Sequence, residues 1–235
     1  ADKLAQLTNS LLLLGSATPS IESFSRAESG EYRKFCLTKR AVLGSCLPNV
    51  QVVDMRKELA SGNRSVFSRE LREKMEECLA KKQQMMLFIN RRGFSRVVSC
   101  RSCGKPIECP HCDVALTEHL GDKLVCHYCG YTKAMPRSCP LCGSPYLAGF
   151  GLGTQKAEMM IKAQFPSARV LRMDMDTTSK KDGHEQILDS FRRREADILV
   201  GTQMIVKGHD FPGVTLVGIL AADMSLYNCD FRSSE

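Results

Sequence analysis

The sequence predicts an α/β protein built on a parallel sheet, with a small cysteine-rich module inserted into it. Three observations carry this. Short, continuously apolar segments alternate with amphipathic ones, as parallel strands and their covering helices do. The alternation stops near residue 98 and resumes near 149. Between those points lie eight of the chain's 12 cysteines, all in Cys-x-x-Cys pairs.

Residues 11–14, "LLLL", read as a short strand stopped by "GSATPS". Thr18 suits an N-cap and Pro19 a first helical position, so a helix over "SIESFSRAE" is expected to follow. "VQVVDM" reads as another strand. In "SRELREKMEECLAKK" the residues Leu71, Met75, Cys78 and Leu79 share one helical face, with Ser68 as cap. "QMMLFIN" is a strand apolar on both sides. After the cysteines, "GLGTQKAEMMIKAQF" gives a glycine-rich turn and a helix, and "ARVLRMDMD" a strand ending in acidic residues. "DGHEQILDSFRRR" is a helix opened by a capping box, Asp182 with Glu185, that turns Ile187, Leu188 and Phe191 inward. "DILVGTQ" and "VTLVGILAAD" are expected to be two more buried strands.

The cysteine pairs are Cys100/Cys103, Cys109/Cys112, Cys126/Cys129 and Cys139/Cys142, with spacers of five, thirteen and nine residues. Two Cys-x-x-Cys turns offer four sulfurs to one ion about 2.3 Å away, which closes a tetrahedron. Eight cysteines therefore imply two structural zinc ions, with no position left open for a catalytic water. Redox Cys-x-x-Cys motifs occur singly, and a secreted disulfide scaffold is far shorter than 235 residues, so reduced thiols in an intracellular protein are expected. Four turns can be matched in three ways. A module that leaves and rejoins the sheet at nearby points favours a nested match. Cys100, Cys103, Cys139 and Cys142 would then share one ion, and Cys109, Cys112, Cys126 and Cys129 the other; sequential matching is the alternative. His111, His119 and His127 are read as bystanders to these sites, and Cys36, Cys46, Cys78 and Cys229 as filling apolar space.

The formal charge is +7. Eight thiolates on two divalent ions remove four charges, leaving about +3, compatible with a nucleic-acid partner without requiring one. No apolar run approaches the roughly 18 residues of a membrane span. The N-terminus "ADKLAQLTNS" has no signal-peptide pattern and reads as the middle of a longer chain.

"LLLLGSATPSIES", "LFINRRGFS", "GLGTQKAEM", "MDMDTTSKKDG" and "ILVGTQMIVKGHDFPGVTLVGILAAD" occur in this order around the four cysteine pairs. This ordered set resembles the PriA family of bacterial primosomal replication-restart helicases (primosomal protein N′), of helicase superfamily 2. The resemblance implies a truncated RecA-like lobe 2 carrying a two-zinc module. Its domains would be 1–40, the end of helicase lobe 1; 41–97, the first part of lobe 2; 98–148, the zinc insertion; and 149–235, the second part of lobe 2. It also implies the nested cysteine pairing, ATP with magnesium as cofactors of the full-length protein, and 3′→5′ movement on single-stranded DNA. Partners would be forked and single-stranded DNA, primosome proteins and single-strand-binding protein, in the cytoplasm.

By the same resemblance, Ser16, Ala17 and Thr18 link ATP state to DNA grip, and Thr202 contacts a DNA phosphate. Lys207 adds a second, salt-sensitive phosphate contact. Gly208 and Asp210 belong to the nucleotide cleft, and Arg91 and Arg92 are DNA-contact candidates with a solvated pair as the alternative. Asp174 and Asp176 are read as a strand-end loop, not a magnesium site. Gln155 stands where the family usually has glutamate, which leaves a charged role there in doubt. No Gly-x-x-x-x-Gly-Lys-Ser/Thr loop, Asp-Glu-x-His box or arginine motif is present in the 235 residues, so the chain alone is not expected to hydrolyse ATP. The competing reading is a non-enzymatic zinc module that binds nucleic acid or protein.

Overall fold

A computed structural model describes residues 1–39, 46–89, 97–119, 121–149, 153–174, 177–178, 183–205 and 210–223. The chain divides into two compact units, Ala1–Gln51 and one beginning at Val52.

In the first unit, α1 (Asp2–Thr8) ends at Asn9, whose backbone turns left-handed, and α2 (Ile21–Glu28) begins at Ser20. Ser20 accepts the Ser23 N–H at 3.3 Å, so the helix starts later than expected. The N–H of Thr18 is instead taken by the Ser16 hydroxyl, at 3.0 Å. Arg26 of α2 donates to Asp2 of α1 and to the Tyr32 hydroxyl. The strand expected over "LLLL" is not formed; Leu11 is 97% exposed and Leu13 84%. A strand needs a ladder partner, and the described residues of this unit hold only helices, turns and irregular chain. Cys36 and Cys46 are exposed, not buried as expected. Two helices of seven and eight residues with no buried side chain offer no core to enter. Cys229 lies outside the described residues.

"VQVVDM", residues 50–55 at the start of the second unit and the end of the first, is likewise not a strand. Asp54 accepts the Arg56 N–H at 2.9 Å and caps a short helix, α3 (Met55–Ala60). The local capping signal defeats the apolar pattern. α4 (Arg69–Ala80) is capped by Ser68, which accepts the Leu71 N–H. The sheet strands follow: β1 (Gln84–Ile89), β7 (Val170–Met173), β8 (Ile198–Gly201) and β9 (Val214–Leu220). They run parallel in the order β7-β8-β1-β9.

Helix α5 (Thr154–Gln164) and α4 cover one face, where Met75, Cys78, Ala157 and Ile161 pack on Met85, Leu87, Ile198 and Val200. Helix α6 (Gly183–Arg192) covers the other, where Leu188 and Phe191 meet Met173, Leu199, Ile205 and Phe211, with Ile187 partly buried beside them. Asp182 of the expected capping box lies outside the described residues. The strand over 214–220 was expected to be buried, but it is an edge. It pairs with β1 alone among the described strands, and its alternate residues Val217 and Ile219 are 58% and 57% exposed. Among the described residues no helix is long and apolar enough to cross a membrane.

The insertion leaves through β2 (Val98–Cys100) and returns through β6 (Leu147–Gly149). These two pair antiparallel, Val98 with Gly149 and Cys100 with Leu147. Between them β3 (Thr117–His119), β4 (Lys123–Val125) and β5 (Thr132–Ala134) form a three-stranded antiparallel sheet. The module's own core is small: Val98, Ile107, Leu116 and Leu124, with Cys109 and Cys126.

Candidate metal centres and nucleic-acid interface

Each Cys-x-x-Cys pair is built as the same turn. The first cysteine's carbonyl accepts the N–H four residues on, from Gly104, Asp113, Gly130 or Gly143. Its own N–H donates to the carbonyl five residues on, of Lys105, Val114, Tyr131 or Ser144. The residue directly after the second cysteine is left-handed in all four turns, with φ of 78° at Gly104, 51° at Asp113, 75° at Gly130 and 71° at Gly143. Glycine takes that conformation without steric cost, and aspartate tolerates it. Cys-x-x-Cys-Gly/Asp is thus a fourfold signature, a regularity the spacing analysis missed although it is visible in the sequence.

The turns bring the sulfurs of Cys100, Cys103, Cys139 and Cys142 together, and separately those of Cys109, Cys112, Cys126 and Cys129, each set within 4.8 Å. The Sγ atoms of Cys100 and Cys142 are 3.6 Å apart, those of Cys103 and Cys139 3.8 Å, and those of Cys109 and Cys129 3.6 Å. A disulfide would hold them at about 2.05 Å. Four sulfurs about 2.3 Å from one ion stand about 3.8 Å apart. The donor set and its spacing therefore fit zinc. In each cluster two cysteines are buried, one is half-buried, and one, Cys142 or Cys129, is exposed.

The electrostatics of each cluster favour a cation among the sulfurs. The N–H of Cys129, and behind it that of Tyr128, hold the Cys126 thiol down at about 7 despite burial. Burial pushes Cys100 up, but the N–H groups of Cys103 and Ser102 outweigh it and bring it to about 7. The Cys112 thiol, crowded by Cys129 and partly desolvated, is pushed up to about 12. At Cys142 the Ser144 N–H pulls down, yet partial desolvation and the crowding sulfurs of Cys100, Cys139 and Cys103 prevail, again to about 12. Four thiols this close cannot all ionise without a positive ion among them.

The module is braced against the lobe. Arg101, inside the first turn, donates to the carbonyls of Arg64 at 2.7 Å and Ser65 at 2.9 Å, in the α3–α4 connection. The Arg64 guanidinium stacks over Tyr146, 5.4 Å from its centroid. The hydroxyls of Ser102 and Ser144 meet at 2.7 Å, joining the first and last turns. Of the histidines, His111 packs edge-on to Tyr131, while His119 and His127 meet each other.

Ligands of open α/β sheets bind at the carboxyl ends of the strands. Thr202 follows β8 there, half-buried, its carbonyl accepting the Ile205 N–H at 3.1 Å. Asp174 follows β7 and is already engaged. It accepts from the Thr154 hydroxyl and from the Thr177 N–H, and it pairs with Arg172 at 3.4 Å. Burial opposes its ionisation, but these partners hold the carboxyl below its ordinary range. Thr154 belongs to "GLGTQ", so that motif anchors α5 to β7, and Gln155 beside it is exposed. Asp210 is exposed, and so are Ser16, Ala17 and Thr18 in the first unit. Arg91, Arg92, Asp176, Lys207 and Gly208 lie outside the described residues.

Gly201 fixes where Thr202 stands. A Cβ on Gly201 would lie 2.5 Å from Ile205 Cγ2 and 2.7 Å from the Met173 carbonyl oxygen. Gly201→Ala is therefore expected to lower stability by about 2 kcal/mol, within the usual cost of overpacking. A shift in the urea midpoint would measure it, and an unchanged midpoint would contradict the packing described here.

Residues 109–133, which contain all four cysteines of the inner cluster, match the PriA DNA helicase Cys-rich region (CRR) domain. Residues 148–233 match the helicase conserved C-terminal domain. Across its whole length the chain is 52% identical to the replication restart protein PriA of Bacillus subtilis and 49% identical to that of Synechocystis sp.. It is 41% identical, over 99% of its length, to that of Haemophilus influenzae. Over its whole length the chain is similar to PriA proteins. It spans 29% of the length of the first two PriA relatives and 31% of the third. The two domain matches divide the second unit much as the fold does: the CRR match lies within the inserted module, and the helicase match begins as the chain re-enters the sheet.

Proposed function

We propose that this chain supplies most of the second motor lobe of an ATP-driven 3′→5′ DNA helicase that restarts stalled replication forks and loads the primosome. Its cysteine module is a structural tool mounted on that lobe. The observation that carries the reading is the mounting itself: a two-cluster module emerges between β1 and α5 of a parallel sheet, through the paired strands β2 and β6, and is clamped by Arg101. A zinc-binding protein without a motor has no need of the parallel sheet or of the brace.

Each four-cysteine cluster holds one zinc ion, Cys100, Cys103, Cys139 and Cys142 the first, Cys109, Cys112, Cys126 and Cys129 the second. All four positions are sulfur, so the ions cross-link the chain and activate no water. Thr202 and Lys207 contact DNA phosphates, and Arg91 and Arg92 take the same role. Asp210 and Gly208 face the nucleotide, and Ser16, Ala17 and Thr18 couple its state to the grip on DNA. ATP with magnesium supplies the phosphoanhydride whose cleavage drives movement. The engaged state of Asp174 supports keeping it out of the magnesium site. Forked and single-stranded DNA, primosome proteins and single-strand-binding protein are the partners, and the cytoplasm is the compartment.

The test uses a full-length protein containing this chain. ATP turnover is expected to rise when forked DNA is added, and Thr202→Val to reduce that stimulation, with a larger deficit at higher salt as phosphate contacts weaken. Absence of any DNA-stimulated turnover would overturn the helicase reading and leave the non-enzymatic zinc module.

A further inference from the structure

We propose that His119 and His127 form a third metal site, open and exchangeable, for a borderline first-row divalent ion such as nickel or zinc. The two Nε2 atoms lie 3.2 Å apart, with ring centroids at 5.1 Å and planes inclined by 52°. Both residues are exposed. Two nitrogens each about 2.0–2.1 Å from one ion stand about 3.3 Å apart at a tetrahedral angle and about 2.9 Å apart at a right angle. The observed separation falls between these values. A hydrogen bond between two solvent-exposed neutral rings gains little over hydrogen bonds to water, so it does not account for the convergence.

The backbone carries both imidazoles on held segments. His119 ends β3, where it pairs with Lys123 of β4. His127 sits inside the third turn, directly after Cys126, which is fully buried. The backbone of each ligand is thus fixed before any ion arrives, which lowers the cost of binding. The seven residues between them in sequence hide the pair from any spacing rule.

The site differs in kind from the two cysteine clusters. It offers two neutral nitrogens and no thiolate, so at least two coordination positions stay open to water, or to a carboxylate or phosphate of a bound partner. It depends on the inner cluster being closed, but not on the motor reading above.

The probe is nickel, titrated calorimetrically into the chain with both cysteine clusters filled with zinc. About one nickel per chain is expected to bind while the zinc content stays constant. His119→Gln and His127→Gln should each abolish that equivalent, and His184→Gln should leave it. Nickel uptake matched by zinc release would place the ion in a cysteine cluster and overturn the proposal, as would no uptake, or uptake indifferent to both substitutions. Should either variant lose zinc, the unmodified chain decides the matter by NMR. Nickel must then broaden the ring resonances of His119 and His127 ahead of those of His111 and His184, and any other order contradicts the site.

Discussion

Stripping the metal with a strong chelator is expected to unfold residues 98–148 and leave the parallel sheet standing. The module's buried apolar side chains outside its cysteines are few: Val98, Ile107, Leu116 and Leu124, with Val97 at the margin. Each contributes about 1.5–3 kcal/mol, whereas zinc contributes on the order of 10 kcal/mol or more per site. The cores on the two faces of the sheet contain no zinc-ligand cysteine, so they have nothing to lose directly. Amide exchange should collapse to unprotected rates across β3, β4 and β5 while β1 and β8 stay protected. Cys126→Ser should act in the same direction by disrupting the inner cluster. Acid should do so as well: zinc needs thiolates, and as pH falls protons displace it. Loss of protection in β1 and β8 together with the module would show that the two parts are not independent.

Gln84→Leu is the second large effect, expected to cost about 3 kcal/mol although the residue touches no ligand. The side chain is 4% exposed at the start of β1. Its Nε2 donates to the carbonyls of Phe191 at 2.7 Å and Ala196 at 2.9 Å, fastening the end of α6 to the strand that follows. Phe191 keeps a second donor, the Arg194 N–H at 3.0 Å. The Ala196 carbonyl loses the amide and is left buried, and such an orphan costs about 1–3 kcal/mol beyond the bond itself. Leucine also cannot reproduce the fit against Gly213, where a Cβ would lie 2.4 Å from Gln84 Oε1. Urea unfolding read at two wavelengths would give the value, and a cost below about 1 kcal/mol would mean that the clamp is dispensable.

What the sequence revealed follows a physical line. α4, β1, α5, β7, α6 and β8 were legible because each carries a full period of apolar residues that tertiary packing then uses; Met75 and Cys78, or Leu188 and Phe191, are inward both by pattern and in the fold. Strands were misread wherever the pattern lacked a neighbour. "LLLL" and "VQVVDM" have the residues for strands, but no ladder partner reaches them, and at Asp54 a cap decides for helix. At β9 the apolar run is real, but the edge position leaves Val217 and Ile219 in solvent. The cysteine spacing announced four turns, and the return of the chain beside its exit, now visible as β2 against β6, is what favoured a nested match. Gln84 and Arg101 had no local signal, since each depends on groups far away in sequence, and the His119–His127 contact had none because it needs both β3 and the third cysteine turn in place.

Two zinc ions cross-linking one module are the central claim. Zinc K-edge absorption on protein of known metal content tests it most directly. The expected result is about two zinc ions per chain, each with four sulfur neighbours at about 2.3 Å. Fewer than two, a shell containing nitrogen or oxygen at the tightly bound ions, or disulfides among Cys100–Cys142 would contradict it.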